Sequence, residues 1–182
     1  MRDLNQALEL NPKSTNTLIK RASVHFEKKD AESCFQDFEK AISINPDDAD
    51  VYYHRGQAHF IMGDLNGAMD DYKKSVELDS TVPFGVPFLP FFPFDGELMP
   101  TLYYFNPVLV QLAVIYFRTQ AIQSSIDTFK SAVEKFPQYG DLYNYYGEVL
   151  TELQKYDEAS DMFEKGKPTI IEATRKEERG KT

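Results

Sequence analysis

Apolar and small residues recur three or four positions apart in paired segments along most of the chain. This spacing is typical of α-helices that bury one face. Each pair ends near a proline such as Pro46, because proline cannot continue a helix. The pattern predicts hairpins of two helices, and the first complete one contains the triplets Leu18, Ala22, His25 and Cys34, Phe38, Ala41.

The end of one pair matches the end of the next. The segment ALELNP begins at Ala7 and AISINP begins at Ala41, and a further step of the same length reaches Ser75 in SVELDS. A period of about 34 residues is that of the tetratricopeptide repeat. The sequence therefore predicts an all-α fold, a tetratricopeptide-repeat solenoid of helical hairpins.

Residue size follows this period through four units. Small residues in each first helix are expected to let the second helix approach closely, and large residues in each second helix should fill the gap to the next hairpin. The small first-helix positions are Ala22, Gly56, Ala113 and Gly147, the small second-helix positions are Cys34, Ala68, Ser125 and Ala159, and the large positions are Phe38, Tyr72, Phe129 and Phe163.

The period is interrupted once. The separation of Pro46 and Pro137 exceeds two periods, and the excess corresponds to the segment 83–105. This irregular insertion holds five of the ten prolines and six of the fourteen phenylalanines. It could be a loop between hairpins, a proline-rich docking motif, or a short intron translated as protein. We hypothesise the unspliced intron, because deleting the segment restores the repeat register.

These boundaries divide the chain into seven segments. Residues 1–12 are expected to be the second helix of a truncated repeat, so that the chain would be a fragment of a longer array. The predicted segments are 1–12, the repeat units 13–47, 48–82, 106–138 and 139–167, the insertion 83–105, and a polar tail at 168–182.

Composition narrows the possible functions. The net charge of −9 disfavours nucleic acid, whose phosphates require basic side chains, and favours partners with basic segments. No apolar run is long enough to insert directly into a membrane. No catalytic, cofactor-binding or metal-binding group is predicted, and Asp70 and Asp71 are expected on a solvated helix face. The sequence thus predicts a protein-binding module and not an enzyme.

First helices of such hairpins line a concave face, so their outward positions are candidates for a peptide-binding groove. Acidic neighbours such as Glu27, Glu148 and Glu152 favour a basic amphipathic ligand. Core burial is the competing interpretation for any one large apolar side chain. The predicted apolar lining consists of Ile19, Phe26, Tyr53, Phe60, Ile61, Val110, Val114, Phe117 and Tyr145.

The segment VYYHRGQAHFIMGDLNGAMDDYKKSVELD, above all residues 52–57, resembles the seventy-kilodalton import receptors of the mitochondrial outer membrane. In that family a membrane anchor and a chaperone-clamp module precede an array of repeats that binds precursor proteins. The resemblance implies that this chain is part of that array. It also implies that precursor polypeptides with hydrophobic or basic amphipathic segments are the partners, at the cytosolic face of the outer membrane.

The clamp that binds acidic chaperone tails needs Lys, Arg and Asn on the first helices. The matching positions here are Ile19, Ser23, Tyr53 and Gln57, so this chain lacks the clamp. Chaperones and other translocase subunits would be bound through regions outside it, and without the anchor the chain expressed alone would be cytosolic. The alternatives are a general co-chaperone or scaffold protein, and a repeat segment attached to a catalytic domain elsewhere.

Overall fold

The computed structural model describes residues 1–79 and 108–167, and the regular structure within these ranges is helical. This confirms the predicted all-α class. The insertion predicted at 83–105 and the tail predicted at 168–182 lie outside the described residues. The described helices are α1 (Arg2–Leu10), α2 (Thr15–Glu27), α3 (Ala31–Ile44), α4 (Ala49–Ile61), α5 (Leu65–Leu78), α6 (Val108–Arg118), α7 (Ile122–Lys135), α8 (Gly140–Glu152) and α9 (Tyr156–Gly166).

Short turns join α2 to α3, α4 to α5, α6 to α7 and α8 to α9. One residue of each turn has a positive φ of 60–82°, which lets the chain reverse directly after the first helix. In the first of these turns the N–H of Asp30 donates to the carbonyl of His25 over 3.0 Å, and in the second the N–H of Asp64 donates to that of His59 over 2.9 Å. The four residues with positive φ are Lys29, Gly63, Gln120 and Gln154.

Side chains at the turns also start the following helices. The carboxylate of Asp30 accepts a hydrogen bond from the N–H of Ser33, and that of Asp64 accepts one from Gly67. These bonds satisfy backbone donors that have no partner within the helix. The pKa of the Asp30 carboxyl is lowered, chiefly by its hydrogen bonds from Ser33.

Within the first hairpins the core runs continuously from α1 to α4. Leu8 of α1 joins the buried face of α2, and Val51 and Ala58 of α4 extend the same cluster. Each hairpin therefore covers apolar surface that the preceding one exposes, as solenoids require. The cluster comprises Leu8, Leu18, Ile19, Ala22, Cys34, Phe38, Ala41, Val51 and Ala58.

The chain forms two compact units that divide between Ile115 and Tyr116, within α6. In the second unit α8 packs against both α7 and α9. Its buried side chains include Phe129 of α7 and Leu142 and Leu150 of α8. Among the helices of the two described ranges, none is both long and apolar enough to cross a lipid bilayer.

Candidate functional site

The small and large positions of the repeat meet where a first helix crosses its second helix. A Cβ placed on Gly56 would lie 2.9 Å from the ring of Tyr72, and one on Gly147 would lie 2.7 Å from the ring of Phe163. Glycine at both positions therefore sets how closely the helices pack. The two rings differ in how far they can move, because Tyr72 is fully buried whereas Phe163 is 37% exposed.

An ion pair links the helices of each of the first two complete hairpins. The Arg21 guanidinium donates two hydrogen bonds to the Asp37 carboxylate, at 2.6 and 2.8 Å. Arg55 and Asp71 repeat this arrangement one period later, at 2.7 and 2.8 Å. Two parallel donors on one carboxylate give the strongest form of such a pair. The pKa of Arg55 is raised, first by its hydrogen bond to Asp71.

A histidine adjoins each pair. Nδ1 of His25 lies 3.2 Å from Asp30 and its Nε2 lies 3.9 Å from Asp37. His59 has the same position beside the second pair, with its Nε2 3.8 Å from Asp71. The expectation that Asp71 lies on a solvated face is wrong. Its side chain is 6% exposed, because the guanidinium of the facing helix compensates its charge and allows the carboxylate to be buried.

The last hairpin has other residues at the ion-pair positions. Counting from the glycine of each first helix, Tyr146 and Met162 stand where the second hairpin has Arg55 and Asp71. Tyr146 is buried and stacks on Phe129 at a centroid distance of 5.1 Å and an interplanar angle of 9°. At this position α8 therefore packs by an aromatic ring against α7, where α4 of the second hairpin forms an ion pair with α5.

The structure places the nine predicted groove residues in two groups. Phe26, Phe60, Ile61 and Phe117 are half-buried, near the C-terminal ends of α2, α4 and α6. The others were expected to be exposed but are buried, because large apolar side chains lose unfavourable contact with water when they pack against neighbouring helices. A role for all nine in peptide binding stays a prediction, and the buried ones are Ile19, Tyr53, Val110, Val114 and Tyr145.

The half-buried residues of α2 and α4 belong to one surface. Phe26 and Phe60 are one period apart, hence at the same position of successive hairpins, and α2 contacts α4 directly. Phe26 and Ile61 also pack against the core cluster. We call Phe26, Phe60 and Ile61 the α2–α4 apolar surface. The exposed carboxylate of Glu27 directly follows Phe26 in the chain.

A polar network lies one turn earlier on α4. Nε2 of Gln57 donates to the Tyr53 hydroxyl over 3.0 Å, and its Oε1 lies 3.2 Å from Nδ1 of His54. Burial raises the pKa of Tyr53 to about 12 and lowers that of His54 to about 4. Both side chains are thus neutral at pH 7, and they can hold Gln57 in place but not attract a charged ligand.

Metal-binding and thiol chemistry have no support among the described residues. Within 1–79 and 108–167 no cluster of three His, Cys, Asp or Glu side chains could hold a metal ion. Burial raises the pKa of the Cys34 thiol to about 12, so at neutral pH this group is a protonated part of the core.

Sequence reasoning missed the ion pairs, although their signal is visible. Arg21 in a first helix is followed by Asp37 in the second helix, and the same two residue types recur at the same spacing one period on. Burial of one charged residue is uncommon, but a pair of opposite charges repeated at the hairpin spacing indicates that the two helices face each other there.

Three segments match models of the tetratricopeptide repeat, at residues 15–48, 49–82 and 108–139. The fold is similar to that of several solved structures. MamA is 16% identical with a TM-score of 0.67, and the match covers 100% of this chain and 89% of MamA. PilF of Pseudomonas aeruginosa is 15% identical with a TM-score of 0.68, covering 91% of this chain and 67% of PilF.

The crystal structure of yeast Tom70 has a higher sequence identity, 26%, with a TM-score of 0.66. The match covers 91% of this chain but only 29% of the yeast chain, so this chain spans less than a third of that structure. The three repeat matches together span more than half of the sequence, and they agree with the packed hairpins described above. The chain is a protein-binding module that belongs to the tetratricopeptide-repeat family.

Proposed function

We propose that this module binds precursor polypeptides during their targeting to and import into mitochondria, at the cytosolic face of the outer membrane. We also propose that it acts without catalysis. The observation that carries the proposal is the α2–α4 apolar surface, where successive first helices present Phe26, Phe60 and Ile61 half-buried. Partly accessible apolar side chains grouped on one face are typical of binding sites.

The charge of the chain favours one ligand type. A net charge of −9 and the exposed Glu27 next to Phe26 match a helix with Leu on one face and Lys or Arg on the other. Such basic amphipathic helices are what the resemblance to mitochondrial import receptors implies as ligands. The likeness to yeast Tom70 supports the mitochondrial assignment.

A binding experiment tests the surface. A fluorescein-labelled amphipathic Leu/Lys peptide should bind the wild-type chain, and Phe26→Glu or Phe60→Glu should weaken binding at least about tenfold, as expected from losing the burial of one large apolar side chain. Leu10→Glu is the matched control, because Leu10 is 87% exposed on α1. Circular dichroism must show unchanged helicity, and unchanged affinity in both phenylalanine variants would exclude this surface.

A second experiment tests the proposed role in protein import into mitochondria. Excess wild-type chain added to isolated mitochondria should compete for a presequence-bearing precursor and slow its import, whereas the Phe60→Glu variant should not. Peptide binding without any effect on import would favour the alternative, a general co-chaperone or scaffold.

A further inference from the structure

A pocket of about 280 Å³ lies in the second unit, among α7, α8 and α9. Val133, Tyr146, Leu150 and Met162 line it with apolar surface. Pockets for complete small-molecule ligands usually have volumes of about 300–1,000 Å³. The space is therefore suited to one or two side chains of a polypeptide and not to a large cofactor.

The pocket occupies the place of an ion pair. Tyr146, Leu150 and Met162 stand at the repeat positions of Arg55, His59 and Asp71. In the second hairpin those positions carry the bidentate ion pair and its adjoining histidine, so the helices are linked there by charges that compensate each other. The last hairpin has no arginine of its own at this place.

The charged residues that line the pocket are mainly acidic. Glu134, Glu158 and Asp161 contribute carboxylates, against the single ammonium of Lys130. Lys155 pairs with Glu158 over 2.9 Å, but both side chains are about half exposed, and such pairs are weak. The pKa of Tyr146 is raised by burial and then by Glu158 and Asp127, as expected where negative charge prevails.

We propose that this pocket is a second docking site, which takes an arginine or lysine of a bound polypeptide together with a neighbouring large aliphatic side chain. The partner's alkyl and aliphatic groups pack on Val133, Leu150 and Met162, and its cation lies among the carboxylates and next to the Tyr146 ring.

Residue-resolved NMR tests the site separately from the α2–α4 apolar surface. The probe is the capped tripeptide Ac-Leu-Arg-Leu-NH₂, titrated into the ¹⁵N-labelled full chain, with Ac-Leu-Glu-Leu-NH₂ as the matched control. With the arginine peptide we expect saturable chemical-shift changes at the amides of Val133, Glu158 and Met162. The affinity for the glutamate peptide should be at least tenfold lower than that for the arginine peptide.

Three double variants make the result decisive. Glu158→Lys with Asp161→Lys reverses two exposed charges and should weaken the arginine peptide at least tenfold, whereas Glu9→Lys with Glu32→Lys, on α1 and α3, should change it less than twofold. Tyr146→Arg with Met162→Asp introduces the ion pair of the second hairpin and should also abolish the shifts.

Four results would overturn the proposal. Three of them are the absence of saturable shifts at these amides in the wild-type chain, equal binding of the two tripeptides, and unchanged affinity in the Glu158→Lys, Asp161→Lys variant. Shifts that appear without peptide when the protein is concentrated would assign the pocket to a second copy of the chain, and would equally overturn it. None of these results depends on Phe60 or on mitochondrial import.

Discussion

Replacing Gly56 with alanine should destabilise the protein, whereas the same change at Gly147 should not. At both positions the added methyl group would enter the space of an aromatic ring, 2.9 Å from Tyr72 or 2.7 Å from Phe163. The Tyr72 ring is fully buried, and the Cβ of Asp71 lies only 3.2 Å from the added atom as well. Phe163 is 37% exposed, so its ring can move towards solvent.

Two opposing effects, helix propensity and overpacking, determine how much each substitution changes the free energy of unfolding. Alanine within a helix is more favourable than glycine by about 1 kcal/mol. Overpacking of a filled core costs about 1–3 kcal/mol, and the upper part of this range applies to Gly56 because none of the close atoms can move freely. We therefore expect Gly56→Ala to lower the free energy of unfolding by about 1–2 kcal/mol. Gly147→Ala should be neutral or raise it by up to about 1 kcal/mol.

Thermal unfolding followed by circular dichroism measures both variants. At about 2–4 °C per kcal/mol for a chain of this size, Gly56→Ala should lower the Tm by about 2–8 °C. Hydrogen exchange of α5 and α9 amides then reports each hairpin separately, which matters because stability in repeat proteins is local. Equal changes of the Tm in the two variants would refute the reasoning that the stability change depends on whether the facing aromatic ring can move aside.

Two further predictions concern buried ionisable side chains. Asp71→Met alone should lower the free energy of unfolding by about 2–3 kcal/mol, because it leaves the Arg55 guanidinium without its carboxylate. Adding Arg55→Tyr should recover at least half of this loss, as a double-mutant cycle of urea unfolding would show, and no recovery would contradict the view that the last hairpin is an apolar equivalent. The folded-state pKa of His54 is about 4 against an ordinary 6.5, so its contribution to stability is complete above pH 6.5 and is lost as the pH falls towards 4. Between pH 7 and pH 5 the wild type should lose about 2 kcal/mol more than His54→Gln, and parallel pH profiles of the two would exclude this role of His54.

The sequence by itself determined the hairpin fold, because the interactions that define it are short in range and periodic. Gly56 and Tyr72 lie on consecutive helices, and their short separation along the chain brings them together in any hairpin with a tight turn. The repeat period, the small and large positions and the family assignment follow from such local matches, as does the expectation that first helices carry the binding surface.

Only the tertiary structure decided which of these side chains remain accessible. Tyr53 and Phe60 lie on the same helix, and both were predicted to line the groove, but Tyr53 is buried and Phe60 is half-buried. The burial of Asp71 likewise depends on a guanidinium from the facing helix, and the pocket beside Tyr146 is formed by side chains of three different helices. Solvent exposure is set by neighbouring helices, and periodicity along one helix does not contain that information.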